Sequence, residues 1–432
     1  TVGTGAFTIE SNAAVALGAS DITANVFTHT GSGAVTWTDA NSSEVKTIST
    51  GSGNDAITLA VLTENMTLNS GAGDDTITIA TDTSASKTYS LTGGDGADIL
   101  SLSSDNADLN NGTAFTMSGI ETISMTAAVD TGITVGNALL HNQGIIIDHA
   151  SETDTFDINV EMGTAVATDL SSLTINTTRI TTADEIVISN STATAALTLT
   201  GANGIQNDFD TGSGADTLTG GTVNDDLDGA AGNDIISGGD GDDTLTGGAG
   251  TDAITGGKGA DIISGDAGAD TLVGGAGGDT YVYDTGDVAS GETITETSSD
   301  TGTDIVSVNT TTDFTALTAA SLDNIEQVLL ASGVTGTFTG AQVTAENFQV
   351  KAAGGTENVV INMAFGGTLA LNSLTFNTWT SGTDVLTVNG TGGNETITGT
   401  ANVDTIVTGA GTDTISGGLG ADVLTVTGST AT

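Results

Sequence analysis

Residues 211–282 are eight nonapeptides with no insertion between them: TGSGADTLT, GGTVNDDLD, GAAGNDIIS, GGDGDDTLT, GGAGTDAIT, GGKGADIIS, GDAGADTLV and GGAGGDTYV. Position six is always Asp: Asp216, Asp225, Asp234, Asp243, Asp252, Asp261, Asp270 and Asp279. Position eight is always a large hydrophobe: Leu218, Leu227, Ile236, Leu245, Ile254, Ile263, Leu272 and Tyr281. A glycine-rich turn followed by a short strand, repeated every nine residues, constrains the fold severely. Two nonapeptides make one coil, so residues eighteen apart stack in one column at the strand spacing of ~4.8 Å. Asp216, Asp234, Asp252 and Asp270 form one column, and Asp225, Asp243, Asp261 and Asp279 the other. Position eight points inward and supplies the core.

Carboxylates stacked at that spacing repel one another unless a cation lies between successive turns. Glycine lets the turn bring main-chain carbonyls close to the Asp side chain. A hard dication held by six to eight oxygens at about 2.3–2.6 Å is calcium, whereas Mg²⁺ demands a tighter octahedron. Pairs of turns one coil apart then give about six ions in this block. Thr222-Val223 replaces the usual x-Gly of the second turn, which is expected to distort it.

Composition agrees. The 432 residues carry 54 acidic and 5 basic side chains, a net charge of −49 that opposes compaction unless cations offset it. Nucleic acid and anionic membranes are thereby excluded as partners, and no apolar run reaches the ~20 residues of a membrane span. There is no Cys, so neither disulfides nor thiolate metal sites exist; this is compatible with an extracellular chain stabilised by metal. There is no Pro, which leaves every backbone N–H available to sheet ladders. Thr1 in place of Met reads as a processed or trimmed start, so the lack of a signal peptide says nothing about export.

Read in order, the chain is organised around such blocks. Residues 1–48 form an N-terminal β region. Residues 49–101 carry three isolated copies of the turn, at 50–58, 70–78 and 93–101, with Asp55, Asp75 and Asp98 at position six. Their spacings of 20 and 23 residues suit one coil each, which would align the three Asp on one edge. Residues 102–210 hold short β-like runs such as GIETISM (119–125), EIVIS (185–189) and ALTLT (196–200), compatible with solenoid rungs or a Thr-rich sandwich. The long block occupies 211–284. Residues 285–389 repeat the first spacer: Gly96-Ala97-Asp98-Ile99 matches Gly302-Thr303-Asp304-Ile305, Ile120-Glu121 matches Ile325-Glu326, and SLTIN (172–176) matches SLTFN (373–377). The offset drifts from 206 to 201, as expected of one duplicated unit with small deletions; in the second copy the first turn has decayed to SDTGTD. Residues 390–427 hold four more nonapeptides with Glu395, Asp404, Asp413 and Asp422 at position six, enough for about two ions. Glu395 is longer than Asp and sets its turn apart.

Catalytic signatures are missing from the sequence: there is no G-x-S-x-G elbow, H-E-x-x-H helix or phosphate-binding loop. His29, His141 and His149 lie in β-like or loop context and read as structural, with His141 and His149 at the surface or an edge. Position three of the long block shows no Thr ladder, which argues against ice binding. The expectation is a protein that is not an enzyme.

The two blocks resemble those of the RTX proteins, which carry this nonapeptide. The resemblance implies an all-β fold in which calcium-binding parallel β-roll blocks alternate with duplicated β-rich spacers. It further implies type I secretion and folding outside the cell, where calcium is abundant. A turn, a hydrophobic run and then GIETISM or NIEQVLL also resembles RTX surface-layer proteins of the Caulobacter type. That likeness implies a calcium-dependent structural subunit of a surface layer or filament at the bacterial cell surface. Its partners would be further copies of itself, bridged by calcium, and cell-surface polysaccharide. Adhesin segments binding glycans, and the non-catalytic tail of a secreted hydrolase, are the alternatives. Seven residues follow Thr425, where the family carries its secretion signal, so a fragment or a short signal is expected.

Overall fold

The computed structural model describes residues 6–17, 26–39, 47–59, 65–80, 87–103, 107–109, 114–125, 132–140, 145–149, 157–162, 167–175, 184–296, 302–345, 348–380 and 383–427. His141 lies outside them. The chain divides into two units. One comprises residues 1–190, 198–209 and 220–222; the other comprises 191–197, 210–219 and 223–432. Both are β-solenoids, with parallel strand pairing throughout the described ladders. Among the described residues helix occurs in short pieces such as Asn137–Leu140 and Gly340–Ala345.

In the first unit one sheet runs through Val35–Asp39, Ala56–Leu59, Thr76–Ile79, Ile99–Leu102, Thr122–Met125 and Ile146–His149. The register places Trp37, Ile57, Ile77, Leu100, Ile123 and Ile147 in one buried column. A second sheet stacks Phe27, Ile48 and Leu68. Phe27 packs on Trp37 with ring centroids 5.3 Å apart, so the two sheets share a core. The region left open between solenoid and sandwich resolves as solenoid: Gly132–Gly136, Asp157–Glu161 and Glu185–Ser189 are successive parallel rungs.

In the second unit the eight position-eight hydrophobes are all buried. Ile236, Ile254, Leu272 and Ile294 form one column, and Leu227, Leu245, Ile263 and Tyr281 the other. The latter continues without a break into Val306, Val328, Val350 and Phe376. The second spacer is therefore more of the same solenoid with longer coils. Tyr283, Phe314, Phe338 and Phe348 fill its wider interior, Phe314 and Phe338 stacked at 5.0 Å.

The two edges of the nonapeptide block differ in backbone. At position two on one edge, Gly239, Gly257 and Gly275 have φ of 118°, 129° and 118°, which only glycine reaches cheaply. On the other edge Gly248 has φ 95°, but Ala230 and Asp266 have φ of 59° and 57°, inside the small left-handed region open to other residues. From Gly232 onward position four is glycine for a different reason. A Cβ on Gly250 would lie 1.4 Å from the carbonyl oxygen of Gly232, and one on Gly268 1.6 Å from that of Gly250. Gly250→Ala should therefore cost more than the ~1–3 kcal/mol of ordinary overpacking. Gly392→Ala, whose Cβ would meet nothing nearer than 3.9 Å, should be neutral or gain up to about 1 kcal/mol. Denaturant melts in saturating calcium check both; equal effects would remove the close stacking of turns as the reason for glycine.

Candidate metal centre

The position-six acids form hydrogen-bonded ladders. In the second unit the backbone N–H of Asp216 donates to Oδ1 of Asp234 at 2.6 Å, that of Asp234 to Asp252 at 2.8 Å and that of Asp252 to Asp270 at 2.8 Å. On the opposite edge Asp225 donates to Asp243, Asp243 to Asp261 and Asp261 to Asp279, at 2.8–2.9 Å. Asp225 keeps this geometry although its turn carries Thr222-Val223, so the distortion expected there does not reach the ladder. In the short block Glu395 donates to Asp413 at 3.0 Å and Asp404 to Asp422 at 3.1 Å.

The three isolated turns of the first unit do the same. The amide of Val35 donates to Oδ1 of Asp55 at 2.6 Å, Asp55 to Asp75 at 2.8 Å and Asp75 to Asp98 at 2.9 Å. Sequence reasoning stopped at Asp98, but the ladder does not: Asp98 donates to Oε2 of Glu121 at 2.8 Å. The duplicated region repeats this, Asp279 donating to Asp304 at 2.9 Å and Asp304 to Oε2 of Glu326 at 2.8 Å. Matching residues of the two copies, Asp98–Glu121 and Asp304–Glu326, thus make the same bond. The shared Ile-Glu of GIETISM and NIEQVLL was the signal that could have found the glutamates. Glu296, buried with Asp279 and Asp304, was also missed; one carboxylate oxygen from each of the three lies within 4.8 Å of the others. Tyr281 donates its hydroxyl to Oε1 of Glu296.

Each ladder bond uses one carboxylate oxygen. The other, Oδ2, is buried and accepts no hydrogen bond in Asp55, Asp75, Asp98, Asp216, Asp234, Asp243, Asp252, Asp261 and Asp270. Where it points is marked by the position-one glycine. A Cβ on Gly238 would sit 2.1 Å from Oδ2 of Asp243 and 2.9 Å from the carbonyl oxygen of Gly256, one coil further on. On Gly256 it would sit 2.2 Å from Oδ2 of Asp261 and 2.6 Å from the carbonyl of Gly274. On Gly399 it would sit 2.4 Å from Oδ2 of Asp404 and 2.2 Å from the carbonyl of Gly417. A carboxylate oxygen and a main-chain carbonyl of the next coil therefore converge on one small space. That oxygen-only donor set fits a hard dication.

The electrostatics say the same. Burial, with the neighbouring Asp225 and Asp261 carboxylates, pushes Asp243 up to about 7 despite the hydrogen bond from Asp225. Burial likewise raises Asp75, Asp234 and Asp270 to about 6. Asp55, Asp98, Asp252, Asp261 and Asp404 are raised for the same first reason. Glu395 differs: burial would raise it, but hydrogen bonds from the Thr391 hydroxyl and the Gly366 amide outweigh that and hold it below the usual range. His29 is buried, its Nε2 3.0 Å from the carbonyl of Ser11.

These shifts fix the pH response of the metal-free chain. Folded carboxyls at about 6–7 hold protons that the unfolded chain, at about 4, has already lost. Their contribution to stability is full below about pH 4 and is lost as pH rises through about 6–7. In chelator, melting temperature should rise as pH falls from about 8 to about 5; in saturating calcium the gain should vanish or reverse, because protons compete with the ion. A melting temperature independent of pH in chelator would contradict buried, uncompensated ladders.

Among the described residues no helix is long and apolar enough to cross a membrane. No curated protein matches the chain. The family model of the RTX calcium-binding nonapeptide repeat matches in four copies, at residues 90–108, 210–245, 246–281 and 389–424. These stretches contain the turn of Asp98, all eight turns of the long block and the four of the short one. RTX repeats bind calcium and are typical of secreted proteins, and these stretches of the chain carry RTX calcium-binding nonapeptide repeats.

Proposed function

We propose that the protein is a calcium-dependent extracellular structural protein, a subunit of a bacterial surface layer or extracellular filament that folds and assembles on binding calcium. In this reading the ligands are the carboxylates of Asp55, Asp75, Asp98, the eight position-six Asp of the long block, Glu395, Asp404, Asp413 and Asp422, with the position-one carbonyls of adjoining coils. About six ions enter the long block and about two the short one. The observation that carries the reading is the extent of the ladder. The same amide-to-carboxylate bond holds nonapeptide coils and spacer coils alike, from Asp55 to Glu121 in one unit and from Asp225 to Glu326 in the other. A chain rigidified along its length by metal suits a load-bearing subunit better than a module presenting one local site.

The reading includes no catalytic step. It also favours a scaffold over a glycan-binding adhesin segment, since Trp37, one of two tryptophans, is buried in the core. Calcium is expected to bridge copies as well as coils, with cell-surface polysaccharide as the second partner.

Two experiments test this. Electron microscopy of the purified chain should show ordered assemblies in millimolar calcium and dispersed particles in chelator; a chain that stays monomeric at high concentration with calcium present overturns the structural reading. Circular dichroism should show chelator melting residues 211–282 cooperatively. Asp243→Asn keeps a side-chain oxygen to accept from Asp225 but removes a charge, and should raise the calcium midpoint of folding several-fold; an unchanged midpoint would remove Asp243 from the ligand set.

A further inference from the structure

The second spacer contains a buried acidic pair outside every nonapeptide. Glu357 is fully buried and Asp384 nearly so. Strands Asn358–Asn362 and Val385–Asn389 pair in parallel with Asn358 opposite Val385, so the two acids that precede them are neighbours on adjacent coils. The backbone N–H of Glu357 donates to Oδ1 of Asp384 at 3.2 Å. This is the bond of the calcium ladder: the amide of one acid to the carboxylate of the acid one coil later. Asp384 Oδ2 accepts from the amide of Thr380 at 2.5 Å. Neither carboxylate oxygen of Glu357 makes a hydrogen bond of ordinary geometry. The amide of Gly333 and the carboxyl of Asp384 lie near it, and burial followed by Asp384 raises its affinity for a proton.

The ion pair of Lys258 with Asp240 lies in the nonapeptide block, not at this pair. On the preceding coil the residue before Thr335, which faces Asn358, is the apolar Val334. An ionised carboxylate buried beside a second one is untenable without a counter-charge. One hydroxyl is at hand: a Cβ on Gly355 would lie 2.3 Å from Oγ of Ser332 and 3.2 Å from Oε1 of Glu357, so these oxygens border the same space. In the first spacer Asp184 is buried just ahead of Glu185–Ser189, as Asp384 is ahead of Val385–Asn389, so the duplicated region carries a buried acid there in both copies.

We propose that Glu357 and Asp384, with the hydroxyl of Ser332 beside them, form a separate divalent-cation site in the second spacer. Its chemistry is that of an oxygen-only site for calcium, and its role is to clamp coils joined by a long connection outside the nonapeptide blocks. The alternative for such a pair is a shared proton with no ion.

The full chain tests this. Trp379 stands next to Thr380, whose amide holds Asp384, so an ion at this site lies close to an indole. Terbium titrated into calcium-free protein, with excitation of tryptophan alone, should give sensitised emission that falls severalfold in Trp379→Phe. Glu357→Gln and Asp384→Asn should each reduce the emission similarly, and calorimetry should count one calcium fewer than in the wild type. Unchanged ion count and unchanged emission in either variant would mean a shared proton and overturn the site. Should both variants fail to regain wild-type circular dichroism in saturating calcium, the wild-type and Trp379→Phe pair decides: equal emission overturns the proposal, and a severalfold difference supports it.

Discussion

Everything in this molecule turns on stacking like charges one strand spacing apart. A parallel coil brings each residue directly beside its counterpart in the next coil. When that residue is an aspartate, the fold sets carboxylate beside carboxylate out of contact with water. The backbone answers half the problem: the amide of each acid donates to Oδ1 of the next. The remaining oxygen needs a cation, and the glycine at position one leaves space for it beside a carbonyl of the following coil. Hydrophobic columns such as Leu227–Leu245–Ile263–Tyr281 hold the coils at the required distance. Core and metal site are therefore two faces of one repeat.

The spacers extend this logic to longer coils. Between Asp279 and Asp304, and between Asp98 and Glu121, the connection lengthens, yet the acids still meet amide to carboxylate. Glutamate takes the acid's place at Glu121 and Glu326, on coils of 23 and 22 residues. Larger side chains then fill the interior: Tyr283 and Phe314 pack edge to face beyond the last nonapeptide. Buried Tyr–Glu pairs, Tyr281 with Glu296 and Tyr283 with Glu292, mark the change from roll to spacer.

How much of this is legible in the chain depends on whether the coil length equals a multiple of the repeat. Over 211–282 it does, and the partners of Asp234 or Asp243 follow from counting eighteen residues. The turns of Asp55, Asp75 and Asp98 are legible as turns because glycine marks them, and their alignment follows from similar spacings. Asp304 was legible only as the counterpart of Asp98 in a decayed turn, and Glu121, Glu326 and the buried Glu296 were not legible at all. They lack the full glycine signature, and coils of 22, 23 or 25 residues have no fixed period to count. The choice between solenoid and sandwich for 102–210 was closed by strand direction, which alternation of Thr and Ile in runs such as EIVIS does not encode.

The unequal edges of the nonapeptide block have a consequence for how such a block can change length. By sequence each nonapeptide looks interchangeable with any other. By backbone they differ: Gly239, Gly257 and Gly275 occupy an edge with φ near 120°, whereas Ala230 and Asp266 on the other edge have φ below 60° and Gly248 there has 95°. Excising nine residues would carry Asp266 to the edge only glycine tolerates and would exchange the two acid columns. Excising or duplicating eighteen would leave every residue on its own edge. The heritable unit of this roll is the whole coil, so lineages of such a block should grow and shrink by pairs of nonapeptides.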